Sequence, residues 1–269
     1  MRRPRSVGGG RPIPRTIWAL WLQGWDEAPE IVQACRSTWE SLNPSWSFQP
    51  LTLSSLPALL GADALRFVDS AHELPPEALS DVVRIALLER YGGVWADSTT
   101  YCLQPLDDWL SAAMPSGFFA FAKPGPDRMI SSWFLAAAPG NALVERWAAR
   151  TRAYWTERAE RDHYFWFHHI FAACYANDAA FRAVWDATPE ILAGGACVYE
   201  PYLENLWGPA SERDRRLVER PFTPLVKLTR RLPPGEYPPQ SALRYLCERA
   251  LAPAAQLFLP RALLESGSG

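Results

Sequence analysis

Eight residues near the start of the chain, RTIWALWL at 15–22, form a continuous apolar run of strand length with no alternation. A strand covered on both faces needs apolar side chains on both, so the run predicts a strand inside a parallel sheet. After Pro29 the period changes. Ile31, Val32, Cys35, Trp39 and Leu42 recur at helical spacing until Asn43-Pro44 stops the helix, and WSFQPL at 46–51 predicts a second strand. The chain therefore opens as β-α-β.

The segment LSDVVRIALLERYGG predicts a helix over 81–91, with Ser80 as N-cap and Gly92 as the stop. VWADSTTY at 94–101 predicts a strand entering from that stop. GFFAFA (117–122) and MISSWFLAAA (129–138) predict two more strands, followed by helices near 141–160 and 163–176. Strands alternating with helices imply an α/β fold with a mostly parallel sheet flanked by helices. No internal repeat or linker divides the chain.

Two places in this pattern carry charge where apolar residues are expected. Val82, Val83, Ile85, Ala86, Leu87 and Leu88 surround nearly the whole helix, which predicts a buried element, yet Asp81 and Arg84 lie three apart on one of its faces. Buried charge is costly unless paired or bound to something polar. An ion pair near the helix start, where Asp81 also favours the helix dipole, accounts for it as well as a ligand does. Asp97 closes a strand, where ligands of open α/β sheets bind, but Asp-Ser-Thr-Thr is also good turn chemistry. Gly92-Gly93 lets the backbone turn sharply and leaves room beside it.

Composition narrows the class. A chain of 269 residues can bury a sizeable core, and 48% hydrophobic with 21% charged residues fits a globular protein. A net charge of -2 gives no general attraction for nucleic acid, which we set aside as a partner. The 5 cysteines are scattered with no C-x-x-C pair, as for free thiols in a reducing compartment. MRRPRSVGGGRP is basic without an apolar core behind it, and no later run is long enough to span a bilayer, so a cytoplasmic protein is expected. Residues 1–11 read as a disordered arm and the closing SGSG as a flexible tail.

The order IPRTIWALWLQGWDEAP, then TW-x-x-LNPSW, then LSDVVRIALLERYGGVWADSTTYCLQPL resembles the capsular polysaccharide synthesis family of glycosyltransferases. That family is related to DXD-motif transferases such as the yeast outer-chain α-mannosyltransferases and the glucosylating clostridial toxins. ISSWFLAAAPGNALV, YFWFHHIF and PLVKLTRR extend the resemblance from about Pro12 to Arg231. It implies a GT-A-like fold, a Rossmann-type mixed sheet, over 12–232, with a helical extension over 233–269.

The resemblance also implies chemistry. Such enzymes move a sugar from a nucleotide-diphosphate donor to an acceptor hydroxyl of a glycan or lipid-linked oligosaccharide, retaining the anomeric configuration, and the leaving diphosphate needs positive charge beside it. Asp97 is implied to be the first carboxylate of the motif, binding metal, ribose or sugar, with Asp81 and Arg84 in the same pocket. Trp21 is implied as the platform for the donor base, and Tyr91, Gly93, Ser98, Ser131 and Ser132 as further donor contacts. Lys227 is implied as a diphosphate partner and His168 as a metal or supporting ligand.

Each of these residues also has an ordinary structural reading. Lys227 reads as a surface lysine, Trp21 as a packing residue, the two serines as backbone partners and His168 as a hydrogen-bonded core histidine. Thr99 stands where the two-carboxylate motif has its second Asp. Mn²⁺ or Mg²⁺ would then rest on Asp97 and the diphosphate, or basic groups would replace it. No nucleophile-histidine-acid arrangement stands out, as expected where the donor phosphate accepts the acceptor's proton. The rival readings are a nucleotide-sugar-binding or assembly protein without turnover, and a scaffold docked peripherally on a membrane through 250–264.

Overall fold

The structure, a computed structural model, is described over residues 12–60, 74–195, 206–229 and 237–251. The basic arm, the closing tail, part of the 233–240 loop, Arg231 and most of the 250–264 stretch lie outside the described residues. The chain divides into two compact units: the described residues of Met1–Gly24, Trp46–Asp97 and Leu110–Ala193 form the first, and those of Trp25–Ser45, Ser98–Trp109 and Gly194–Gly269 the second. The units interleave along the chain, so no single linker marks the division.

The first unit is built on a five-stranded sheet in the order β2-β1-β3-β6-β5: β1 is Thr16–Leu20, β2 Ser47–Leu51, β3 Gly93–Ala96, β5 Phe118–Gly125 and β6 Arg128–Ala137. β1 pairs in parallel with β2 and β3, whereas β6 is antiparallel to both β3 and β5. Four strands thus share one direction and β6 alone reverses, which makes the sheet mixed, with two parallel and two antiparallel pairings. The reversal follows from the short β5–β6 hairpin, since parallel neighbours need a longer crossover.

Helix α3 (Pro76–Tyr91) packs with α5 (Ala142–Thr156), α6 (Trp166–Asn177) and α7 (Ala179–Asp186) around one apolar core that includes Val83, Leu87, Trp95, Leu135, Trp147 and Phe167. Trp147 stacks on Phe167 with ring centroids 4.1 Å apart. Burying side chains of this size is worth about 1.5–3 kcal/mol each. That core fixes α3, and α3 carries two of the charges singled out above.

Two expectations need correction. The helix begins at Pro76, five residues before the predicted start, because a proline at the first helical positions is already set for helix geometry. Ser80 lies inside it and is not its cap. VWADSTTY is not one strand either: β3 ends at Ala96, and β4 (Thr100–Cys102) belongs to a separate two-stranded sheet with β7 (Leu225–Lys227). Apolar content runs through both halves, so hydrophobicity could not reveal that they pair with different partners.

The double glycine is a packing requirement. Gly92 and Gly93 have φ of +67° and +93°; a Cβ would lie 2.8 Å from the Ala137 oxygen at the first and 2.7 Å from the Thr16 oxygen at the second. Only glycine takes these angles and admits these approaches without strain.

In the second unit, α1 (Glu30–Leu42) and α9 (Ala242–Leu251) flank the β4–β7 pair. Trp39 Nε1 donates to the Thr100 carbonyl at 2.7 Å, the Tyr101 hydroxyl to the Leu246 carbonyl at 3.2 Å, and Arg244 pairs with Glu30 at 2.7 Å. The short α2 (Leu56–Leu59), α4 (Leu106–Ala113) and α8 (Glu212–Glu219) complete the described helices.

Candidate functional site

Asp97 follows the carboxyl end of β3, its backbone N–H donating to the Trp133 carbonyl of β6 at 2.8 Å. Its Oδ1 accepts two hydrogen bonds, from Trp95 Nε1 at 2.9 Å and from an Arg84 terminal nitrogen at 3.1 Å. Strand alternation puts Trp95 and Asp97 on one face, and α3 packs across that face, which brings Arg84 within reach.

The same guanidinium reaches back along α3, pairing with Asp81 Oδ1 at 2.6 Å and donating to Ser80 Oγ at 3.0 Å. Its carbon lies 5.3 Å from the Trp95 ring centroid and 5.9 Å from that of Phe167, within cation–π range of both rings. Side-chain exposure orders the three charges: 5% for Arg84, 12% for Asp81 and 24% for Asp97. Asp97 is the member that meets solvent, and the other two stand behind it. The spacing left an intrahelical pair and a ligand-facing group as alternatives; the intrahelical pair is present, and the same arginine also bridges Asp97.

Burial pushes the Asp81 carboxyl up to about 7 against the opposing pull of Arg84, with Asp97 and Glu77 raising it further. The pair with Arg84 does not fully repay the loss of water, as expected of a desolvated ion pair. Burial pushes the His168 imidazole down to about 3, helped by the positive charges of Arg84 and Arg128, so His168 is neutral at ordinary pH. Its Nδ1 is buried without a hydrogen-bond partner among the described residues.

The remaining predicted residues fall into three places. Trp21 stands one residue beyond β1, half-buried, with its backbone N–H donating to the Leu51 carbonyl at 3.0 Å. Because β1 and β3 are adjacent and parallel, Trp21 and Asp97 occupy the same carboxyl edge of the sheet. Ser131 and Ser132 also lie beyond that edge, since β6 pairs Phe134 with Ala96 and its earlier residues run past β3. Ser131 Oγ is buried with no hydrogen-bond partner among the described residues, and Ser132 is half-buried.

Tyr91 and Gly93 lie elsewhere. They sit at the amino end of β3, four strand residues or about 13 Å from Asp97. The Tyr91 hydroxyl donates to the Leu59 carbonyl at 2.7 Å and its ring is 5.6 Å from that of Trp18. As donor contacts these two are corrected: helix α3 runs antiparallel to β3, so its last residues finish at the end of the strand opposite the site.

Ser98, Thr99 and Lys227 belong to the second unit. There the Lys227 ammonium donates to Thr99 Oγ1, and Leu228 N–H donates to the Thr99 carbonyl at 2.8 Å. Thr99 is buried.

Among the described residues no group of three or more His, Cys, Asp and Glu side chains converges as metal ligands. Asp97 is bridged to a guanidinium at 3.1 Å, and the Thr99 hydroxyl accepts an ammonium proton. Hard divalent cations favour several oxygen ligands with carboxylate among them.

Trp95 and Phe167 position the triad and were not singled out in the sequence, and Ser80, which also contacts Arg84, was read there only as a helix cap. Trp95 was within reach of it, since two residues before a strand-end carboxylate is the same face; Phe167 comes from a distant helix and left no local signal.

Residues 10–206 match the family described as capsular polysaccharide synthesis protein. The chain is 27% identical over 164 residues to the O-glycosyltransferase braB of Annulohypoxylon truncatum, covering 52% of this chain and 38% of that one. It is 29% identical over 107 residues to the initiation-specific alpha-1,6-mannosyltransferase of Candida albicans, covering 38% of this chain and 28% of that one. The chain thus spans well under half the length of these relatives. Among solved structures, the apo-form glycosyltransferase GlyE of Streptococcus pneumoniae TIGR4 superposes with a TM-score of 0.51 at 9% identity, over 95% of this chain and 64% of that one. That likeness is one of fold, the GT-A-like mixed sheet with flanking helices.

Proposed function

The chain belongs to the capsular polysaccharide synthesis protein family, and from that membership we propose that it is a glycosyltransferase using a nucleotide-diphosphate sugar. The observation that carries the reading is Asp97 at the carboxyl edge of the sheet, held from behind by Arg84 and Trp95. Ligands of open α/β sheets bind at this edge.

In this reading Asp97 accepts hydrogen bonds from donor hydroxyls, of the sugar or the ribose. A carboxylate acceptor makes these bonds about twice as strong as neutral ones. Arg84 and Asp81 are positioning residues: they fix the Asp97 rotamer before the donor arrives, so little ordering is left to the reaction. Trp21, on the same edge, offers a flat face to the base, and Ser131 and Ser132 offer hydroxyls to the sugar.

We assign retention of configuration on the resemblance. The bond from the anomeric carbon to the diphosphate oxygen breaks, the acceptor oxygen bonds to that carbon on the same face, and the acceptor's proton passes to the departing diphosphate. A divalent cation bound with the diphosphate would supply positive charge to the leaving group. Within the second unit the Lys227 ammonium is localised by the Thr99 hydroxyl.

The acceptor we infer is a glycan or lipid-linked oligosaccharide of a surface polysaccharide, met in the cytoplasm or at the inner face of a membrane. Among the described residues no helix is long and apolar enough to cross a membrane. Incubating the chain with a panel of UDP- and GDP-sugars, with and without Mn²⁺, and following donor hydrolysis or transfer tests the reading; no binding and no turnover across the panel contradicts it.

One observation favours a second reading. The Thr99 hydroxyl, where a second carboxylate would stand, is engaged by Lys227. A nucleotide-sugar-binding or assembly protein without turnover fits that arrangement, and it would show donor binding in calorimetry with no transfer to any acceptor.

A further inference from the structure

Beyond the carboxyl end of β3 the β5–β6 hairpin is irregular. Its register shifts between Ala120 and Ala122 and again between Ala122 and Gly125, and Lys123 adopts a φ of +52°. Bulges re-aim side chains, and left-handed non-glycine residues are uncommon enough to call for a role; both features concentrate beside functional sites. Ala122 N–H donates to the Ile191 carbonyl at 2.8 Å, drawing the segment around Glu190 alongside the hairpin.

Between this hairpin and residues of α6 and α7 lies a cavity of about 860 Å³, within the range of about 300–1,000 Å³ typical of small-molecule sites. Tyr175 and Trp185, both half-buried, supply aromatic surface. The charges around them come in opposed pairs: Lys123 with Glu190 at 2.7 Å, Arg128 with Asp127 at 3.1 Å, while the Tyr175 hydroxyl donates to Asp186 at 3.0 Å. Paired charges give little net field to draw in a polyion. What they offer instead is a fixed array of donors and acceptors around apolar ring faces, which suits a neutral ligand with many hydroxyls and C–H faces.

The cavity also lies along the strand that serves Asp97. Met129 lines it, and Trp133, whose carbonyl accepts the Asp97 N–H, is four residues on, about 13 Å in an extended strand. The charges of Arg84, at the first place, and of Arg128 and Asp127, at the second, all act on His168 of α6.

We propose that this groove binds the acceptor as an extended neutral oligosaccharide, its sugars against Tyr175 and Trp185, with the reactive end directed along β6 toward Asp97. The inference rests on the glycosyltransferase reading above.

The test is binding, not turnover. The full chain is titrated with maltopentaose, cellopentaose, mannopentaose and chitopentaose, followed by calorimetry and by saturation transfer to the sugar protons. At least one should bind, and Tyr175→Ala should weaken it about tenfold or more, a loss of about 1.4 kcal/mol. Because Tyr175 packs against the core, Asp186→Asn serves as a second variant on an exposed side chain, with the same direction of effect expected. Failure of all four sugars to bind, or equal binding by wild type and both variants, overturns the proposal. Titration with UDP and GDP separates the two readings: diphosphate binding without saccharide binding removes the groove alone, while saccharide binding without diphosphate binding removes the donor reading.

Discussion

Arg84 and Asp97 lie 13 residues apart in the chain and meet at 3.1 Å, one from the middle of a buried helix and the other from the end of a strand. The same guanidinium holds Asp81 at 2.6 Å, so a single side chain orders the carboxylate that meets solvent and neutralises the one that does not. Removing it should be costly. Arg84→Met leaves two carboxylates without their cation, and breaking a buried pair costs roughly 3–5 kcal/mol. Urea denaturation should show a midpoint lowered to match; an unchanged midpoint contradicts the triad as the element that organises this edge. Arg84→Lys should recover part of the stability but not the donor affinity, because an ammonium cannot serve Asp81, Ser80 and Asp97 in one plane.

Asp81 gives the pH dependence its sign. Its carboxyl is raised in the folded chain, from 3.8 to about 7, so the folded state binds the proton more tightly and stability falls as pH rises from about 4 through about 7. His168, lowered to about 3 from 6.5, acts in the opposite sense: stability rises with pH across that interval. Comparing wild type with Asp81→Asn isolates the first effect. Wild type should lose stability relative to the variant between about pH 4 and about pH 7, on the order of a few kcal/mol. A difference that stays flat across this range contradicts the burial-driven shift.

Gly93→Ala separates packing from binding. A Cβ there would lie 2.7 Å from the Thr16 oxygen at a φ of +93°, a strain of about 1–3 kcal/mol. The melting temperature should fall, while donor affinity per folded molecule stays at the wild-type value, measured below the transition. Lost affinity in a fully folded variant would return Gly93 to the donor site.

Much of this arrangement was readable before any coordinates. The apolar run at 15–22 became β1, and the all-round apolar helix with its two charges became α3, because burial on both faces leaves a compositional mark. The place where VWADSTTY divides was not readable, since β3 and β4 are both buried and differ only in which distant strands they pair with. The separation of Tyr91 and Gly93 from Asp97 was hidden for a related reason: neighbours in sequence at one end of a strand are a strand's length from its other end. Trp95 shares the face of Asp97 by simple alternation, but Phe167 reaches the same guanidinium from a helix some eighty residues on, with nothing nearby in the sequence to announce it.

The most direct measurement is the affinity of UDP- and GDP-sugars for wild type and for Asp97→Ala, taken by calorimetry with the melting temperature recorded on the same samples. The account predicts that wild type binds at least one donor and that the variant binds it about tenfold to a hundredfold more weakly, the loss of one or two hydrogen bonds to a charged acceptor, while remaining folded. Equal affinity in the two folded proteins would contradict it.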